Sequence, residues 1–517
     1  MATGSEIYGP LDLFVAGNKY PSDNSSFRHT NGPSAPRVES PKMQNNIIYK
    51  LPSDLHVEIF KIVLRSQWDF FHDTEGDFSQ QWATMTQPSR LGTVCTHWRE
   101  ILWTTPVLWS DMTIVLSSHA EEEIIKLFET YLERSGECLL TIELIFEDED
   151  DEWAHSVPER LLELFASSAS RWHSINMTFP EAWCSELLEL QPMFRNLKTV
   201  RIQPLNEDAA LEYSERTVFN LLEYTTPVLQ NLHLNGYYCY QVRVAWHQLA
   251  RLSIENVDIN ECFHVLEKAP NLTCFEVSNI YAFENEEIRP RKGLPHEKPI
   301  PLPSMRTLTI KTSIWEDITL LLFSLYLPSL HDIELGCPSS AQGNRVVFKL
   351  MSDLLPLLVR AGATTITRLV LLHPDHGAET DLREFIWHMP LLRYLEIHLG
   401  DAKFPPPRYF VRDLLQASQS NQTHPLPNLE EFWFSGPTLL EDDEDFGQVL
   451  VDTMVARQVH SSSDQEPEGL KSLRSFTLES NGPERRPSVK VKDELEQLVA
   501  DGLDIRIVCA GHSWLRA

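Results

Sequence analysis

No two of the eight cysteines have the CxxC spacing of a zinc or redox site; they stand at Cys95, Cys138, Cys184, Cys239, Cys262, Cys274, Cys337 and Cys509. Scattered through mostly apolar surroundings, they suit reduced, buried thiols rather than a disulfide framework, and predict a cytosolic or nuclear protein. The N-terminus lacks the basic region and apolar core of a secretory signal. The longest greasy run, Ile318 to Leu327, falls far short of the ~18 apolar residues that span a bilayer. Positive charge is also in short supply: 44 Lys and Arg face 74 Asp and Glu, a formal charge of −30. Affinity for nucleic acid comes mainly from Lys and Arg on phosphates, and no long basic stripe exists. Nucleic acid and anionic membranes are both disfavoured as partners.

The usual signatures of catalysis are missing too. There is no phosphate-cradling GxxxxGKS/T, no GxGxxG after a strand, no HExxH and no GxSxG. His373, Asp375 and His376 are ligand-type residues without partners at metal spacing, and read as a surface turn. Cys262 and His264 stand two apart on a predicted helix and point to different sides, which does not suit a nucleophile and its base. No carboxylate pair is marked by its surroundings as general acid and base. The expectation is a protein that is not an enzyme and holds no cofactor or metal.

What is there begins with ordinary globular composition, 42% hydrophobic and 23% charged, enough for a large or repetitive core. Residues 1–45 are rich in Ser, Asn, Pro and Gly and read as a disordered tail. From Leu51 to Trp109 the apolar spacing is helical. Leu55, Ile59 and Val63 recur at i, i+4, i+8, and Leu91, Val94, Cys95, Trp98, Ile101 and Leu102 follow a similar stripe. Ser53 or Asp54 suits a helix cap, and Thr105 before Pro106 suits a cap followed by an N1 proline. Cys95 reads as core packing.

The ordered run Leu51-Pro52, Leu55, Glu58-Ile59-Phe60, Leu91, Val94-Cys95, Trp98-Arg99 and Pro106-Val107-Leu108-Trp109 resembles the F-box family. The likeness covers about a tenth of the chain. Residues 65–88 depart from it, as a loop insertion between the two halves. The resemblance implies docking to a Skp-type adaptor, and through it to a cullin–RING ubiquitin ligase. By that implication Leu51, Pro52, Leu55, Ile59, Phe60, Leu91, Val94, Cys95, Trp98, Leu108 and Trp109 form the adaptor-binding surface. The alternative is that these residues merely pack against the next domain.

Further on, Glu121 to Leu132 has the pattern of an amphipathic helix, and Leu139 to Phe146 alternates like a strand. Glu147 to Glu152 is a run of carboxylates that suits a solvated loop. From Trp172 a triplet recurs, with apolar residues at i, i+3 and i+5. Clear copies are Leu197-Val200-Ile202, Leu229-Leu232-Leu234 and Leu272-Phe275-Val277, and the series ends at Leu473-Phe476-Leu478. Pro227, Pro270, Pro303, Pro328, Pro390 and Pro427 head several copies. Pro cannot donate to a ladder, so each belongs just before a strand. Helix-like stretches lie between, including Phe219 to Leu222, Cys262 to Leu266 and Leu320 to Leu327.

One strand and one helix per unit resembles the leucine-rich repeat plan. The Asn or Cys that this family places after the strand is absent; Tyr237 stands at that offset from Leu229. The turns must therefore close some other way. Leu495 to Val508 reads as a closing helix and strand. Trp315, Trp387 and Trp433 suit either the core or the opposite face of the strands. The expected fold is α/β: a three-helix module over 46–118, a linking region over 119–171, and an irregular leucine-rich-repeat-like solenoid over 172–517. The expected function is substrate recognition for a ubiquitin ligase, with an unidentified protein as the target. The alternative is a binding scaffold outside ubiquitin transfer.

Overall fold

The computed structural model describes residues 51–66, 87–146, 152–180, 194–204, 219–221, 226–237, 239–281, 299–312, 315–336, 365–372, 388–398, 426–436, 446–459, 471–480, 487–509 and 511–515, together with residues 183, 186 and 386. The chain divides into two units, Met1–Pro52 and Ser53–Ala517. Every element below belongs to the second. The sequence-predicted tail over 1–45, most of the insertion over 65–88 and the turn at His373 lie outside the described residues.

Among the described residues three helices come first, α1 (Ser53–Ser66), α2 (Gln87–Leu91) and α3 (Thr96–Thr104), then a 3-10 turn over Pro106–Trp109. There follow β1 (Asp111–Leu116), α4 (Glu121–Arg134), β2 (Leu140–Phe146), α5 (Glu159–Ser168), β3 (Trp172–Phe179) and β4 (Thr199–Pro204). Next are β5 (Phe219–Leu221), β6 (Asn231–Asn235), β7 (Val242–Val244), β8 (Arg251–Asp258), α6 (Ile259–Lys268) and β9 (Cys274–Tyr281). Then come β10 (Ile300–Pro301), β11 (Thr307–Thr312), α7 (Trp315–Ser324), β12 (Leu325–Tyr326), β13 (Asp332–Gly336), β14 (Arg368–Leu372) and β15 (Tyr394–His398). The chain ends with β16 (Glu431–Gly436), α8 (Phe446–Val459), β17 (Ser475–Ser480), α9 (Val489–Ala500), β18 (Asp504–Cys509) and β19 (His512–Ser513). Among the described residues no helix is long and apolar enough to cross a membrane.

The fold is mixed α/β, built on a sheet of 15 strands laid side by side in chain order. Every pairing in that sheet is parallel except the last, β18 with β19. The pairs β5–β7 and β10–β12 stand apart as small ribbons. The apolar triplets, eleven in number from Trp172-Ile175-Met177 to Leu473-Phe476-Leu478, all fall at strands of the sheet, from β3 to β17, and none of their side chains is more than 5% exposed. Side chains two apart on a strand share a face, so the last two positions of each triplet enter one core. Their middle members align from strand to strand in a single row: Val200, Leu232, Leu252, Phe275, Leu308, Ile333, Leu369, Leu395, Phe432 and Phe476. One contiguous apolar core runs from Phe60 to Trp514.

Closure of each unit, without the expected Asn ladder, is achieved by the main chain. The N–H groups of Leu229, Leu272, Met305, Leu330, Leu392 and Leu429 each donate to the carbonyl three residues earlier, at 3.1–3.4 Å. These are β-turns with Pro227, Pro270, Pro303, Pro328, Pro390 and Pro427 in the second position, where a fixed φ is favourable. The carbonyl just after the leading apolar residue then accepts two N–H groups from the next unit. Lys198 accepts from Gln230 and Asn231, Gln230 from Ala250 and Arg251, and the series continues to Glu430 accepting from Arg474 and Ser475, all at 2.7–3.2 Å.

The structure corrects several sequence expectations. β1 lies inside the stretch assigned to the helical module, and α4, β2 and α5 fill the linking region, with β2 paired to β1 and β3 in the large sheet. Phe219–Leu221 is a strand, not a helix. Thr105 sits at the N-cap of the 3-10 turn, but its side chain makes no capping bond. For Trp433, open to either side in the sequence, the alternation with the buried Phe432 and Phe434 on β16 decides for the face away from the core.

Candidate functional site

Two surfaces stand out. The first is α1 with α3 and the 3-10 turn. Asp54 in the first turn of α1 opposes the positive helix end. On one side of α1, His56 and Phe60 are buried at 1% and 0% exposure. On another, Leu55, Ile59 and Ile62, spaced i, i+4 and i+7, form an outward stripe at 49%, 41% and 66%. α3 begins at Cys95, whose Sγ accepts the Trp98 N–H at 3.4 Å. Cys95 thus serves as an N-cap, and it is half-buried rather than core. Arg99 Nε donates to the Gly92 carbonyl at 2.9 Å and ties the preceding turn to the helix. The Trp98 ring meets Phe60 edge-on at 4.9 Å.

Trp109 is fastened at both ends. Its Nε1 donates to the Leu102 carbonyl at 2.8 Å, and its ring meets Tyr131 of α4 at 5.4 Å. The Arg134 guanidinium lies over the rings of Trp103 and Trp109 at 4.8 and 5.2 Å. Burial, with Asp111 nearby, pushes the Tyr131 phenol well above its ordinary pKa.

The eleven residues implicated by the sequence therefore separate. Phe60, Leu108 and Trp109 are core side chains, at most 2% exposed, and offer nothing to a partner in the folded protein. Leu91, Cys95 and Trp98 are half-buried fasteners. Leu55, Ile59 and Val94 stand out from the surface, Val94 at 61%. Leu51 and Pro52 precede α1 in the other unit, with Pro52 exposed. Sequence reasoning missed three exposed apolar residues of the same stretch: Ile62, Trp103 at 52% and Val107 at 40%. The i, i+4, i+7 stripe through Ile62 was the available signal.

The second surface is the sheet face opposite the core. Its central row runs in register through Glu143, Asn176, Arg201, His233, Ser253, Glu276, Thr309, Glu334, Val370, Glu396, Trp433 and Thr477. With the flanking positions this face carries ten carboxylates, Asp111, Glu143, Glu255, Glu276, Asp332, Glu334, Glu396, Glu431, Glu479 and Asp504. Against them stand five cations, Arg201, Arg251, Lys311, Arg368 and Arg506. Glu143, 5% exposed, accepts from Thr113 Oγ1 at 3.2 Å and Asn176 Nδ2 at 2.7 Å. Burial first, then the neighbouring Arg201, holds the His233 imidazole down at about 4.

Aromatics on this face are confined to Tyr394 and Trp433 among the described positions. The Tyr394 hydroxyl donates to Glu396 Oε2 at 2.5 Å, and His398 Nε2 lies 2.6 Å from Glu396 Oε1. Arg368 rests over the Tyr394 ring at 5.0 Å and approaches Glu396 only to 3.9 Å. The rings of His398 and Trp433 are 5.7 Å apart. Burial, then the bond to Glu396, pushes the Tyr394 phenol up to about 12.

Among the described residues neither an activated nucleophile nor a metal site emerges. Among the described residues no group of three or more His, Cys, Asp or Glu is placed to hold a metal ion. The thiols of Cys239 and Cys262 are buried, and burial raises both pKa values well above the ordinary range, which makes them poor nucleophiles. Cys262 is buried while His264 is exposed, so the two face apart as their spacing predicts. No protein-family model matches the chain, and no curated protein matches it significantly.

Proposed function

We propose that the chain is a substrate-recognition adaptor of a cullin–RING ubiquitin ligase, acting in the cytosol or nucleus. The F-box-like helices α1–α3 dock a Skp-type adaptor, and the stacked leucine-rich-repeat-like units hold a target protein. The chain itself makes no bond. Two surfaces on one body raise the effective concentration of target lysines near a ubiquitin thioester.

The observation that carries this reading is the clustering of exposed apolar side chains. Of the fifteen large apolar residues exposed among the described residues, six lie between Leu55 and Val107: Leu55, Ile59, Ile62, Val94, Trp103 and Val107. Exposed apolar side chains concentrated in one stretch of sequence support a partner that covers them. The test is Leu55→Lys with Ile59→Lys in the full chain, read by co-purification with a Skp-type adaptor. Loss of the adaptor with an unchanged melting profile is expected; retained adaptor overturns the proposal.

A second reading has its own support. Phe60, Leu108 and Trp109 share the core of the sheet, so the helices also serve as its N-terminal end. Were that their whole role, the chain would be a binding scaffold outside ubiquitin transfer. Neither the wild-type chain nor the lysine pair would then recover an adaptor.

A further inference from the structure

We infer that the sheet face at β14–β16 holds a basic segment of the partner protein, with a Lys or Arg side chain seated between Trp433 and Glu396. This deepens the reading above, because it names the chemistry of the target that the repeats would hold.

The place is distinct from the rest of its face. Elsewhere the described positions are Ser, Thr, Asn and charged residues with few apolar ones, whereas here Tyr394 and Trp433 come together on neighbouring strands, with Arg368 beside them. Trp, Tyr and Arg are the residues that dominate binding energy at interfaces. Glu396 and Trp433 are direct cross-strand partners, so the carboxylate and the indole share one site. Their closeness is a consequence of register, not of sequence proximity.

The carboxylate is prepared as an acceptor. The Tyr394 hydroxyl and His398 fix one oxygen each, at 2.5 and 2.6 Å, and the Glu396 side chain retains 13% exposure. Arg368 forms only a long ion pair with Glu396, at 3.9 Å, beyond hydrogen-bond length, and its guanidinium rests on Tyr394. A cation arriving from outside gains a charge-assisted bond to Glu396 and the face of the indole beside it.

Charge complementarity selects the occupant. Among the described positions, ten carboxylates against five Lys or Arg give this face a formal −5, within a chain at −30. Such a field draws basic segments and repels acidic ones.

The experiment uses the full chain and two short fluorescent peptides, one alternating glycine and lysine, the other glycine and glutamate, followed by anisotropy. Saturable binding of the lysine peptide is expected, with no binding of the glutamate peptide. Trp433→Ala and Glu396→Gln should each weaken it about tenfold, while Glu276→Gln, further along the same central row, changes it less than twofold. Should Trp433→Ala melt early, Trp433→Phe and Glu396→Gln give the same reading. Equal affinity in wild type and both site variants, or an equal loss in Glu276→Gln, overturns the site, because attraction would then be spread over the whole face. Tight binding of the glutamate peptide overturns the assigned chemistry. Adaptor co-purification from the same preparations separates this inference from the functional reading: peptide binding without adaptor leaves the basic-segment site standing and removes the ligase.

Discussion

Phe60 and Ile59 are adjacent on α1 and should respond in opposite ways. Phe60 is fully buried and meets the Trp98 ring at 4.9 Å, so Phe60→Ala leaves a cavity and should cost about 3–5 kcal/mol of stability. Leu55 and Ile59 are 49% and 41% exposed. Lys at those positions keeps an aliphatic stem along the helix and favours helix, so Leu55→Lys with Ile59→Lys should change stability by no more than about 1 kcal/mol. Docking is another matter. Fully burying a Leu or Ile contributes about 1.5–3 kcal/mol, so covering the exposed half of each contributes about 1 kcal/mol. Losing both amounts to about 2 kcal/mol, roughly 30-fold in affinity, before the cost of two buried ammonium groups. Urea denaturation followed by tryptophan fluorescence gives the stabilities, and titration with a Skp-type adaptor gives the affinity. The division of α1 into an inner and an outer face is refuted if Phe60→Ala is neutral, or if the lysine pair costs as much stability as Phe60→Ala.

Three more outcomes follow from particular contacts. The His233 ring is held down at about 4 by burial and Arg201, against about 6.5 when unfolded, so the unfolded chain binds the extra proton between those values. Stability should therefore fall by up to about 3 kcal/mol as pH drops from 6.5 to 4, and His233→Gln should remove that share of the slope in denaturation curves taken at several pH values. Arg457, 2% exposed, donates to the Leu426 and Leu429 carbonyls at 3.0 and 3.2 Å; Leu426 keeps the Leu429 N–H as a donor, so Arg457→Met should cost about 1–3 kcal/mol, for the Leu429 carbonyl deprived of the guanidinium, by the same measurement. Pro390→Ala and Pro427→Ala each free a turn position in the unfolded chain and should cost about 0.4–1 kcal/mol, read as a shift in denaturation midpoint with unchanged slope.

The strands were legible because their signal is local. A triplet at i, i+3, i+5 states both where a strand lies and which side is buried, and Leu395 and Ile397 or Phe432 and Phe434 behave accordingly. The same spacing in Trp109, Met112 and Ile114 marks β1 just as well, yet Trp109 also closes the helical motif, and the module drawn around that motif extends to residue 118. Competing periodicities at a junction explain that miss. The motif residues were harder to sort. Val94, Cys95 and Trp98 are all large or soft and close in sequence, but a helix start turns one outward, makes one a cap and lays one against Phe60. The Tyr394–Glu396–Trp433 grouping was illegible for a different reason. It depends on the register between β15 and β16, which no single stretch of sequence encodes.

Register also explains how units of uneven length make one regular sheet. Leading residues are separated by 20 positions from Leu229 to Leu249, and by 44 from Leu429 to Leu473. The hydrogen bonds at the strand starts stay constant over both intervals, because they use backbone groups only. Length between units is thus nearly free, while position within a triplet is not. Doubling a flexible loop costs about 0.6 kcal/mol. A single residue inserted between Leu392 and Leu395 would instead move either Leu392 out of its turn or Leu395 and Ile397 to the opposite face, with the loss of one or two buried side chains, about 2–5 kcal/mol each. Four residues of Gly and Ser placed in the long connection between β16 and β17, beyond α8, should leave the denaturation midpoint nearly unchanged; one Ala inserted after Arg393 should collapse it. Equal tolerance of both insertions would show that spacing rather than register defines the unit, and would undo the account of the ladder.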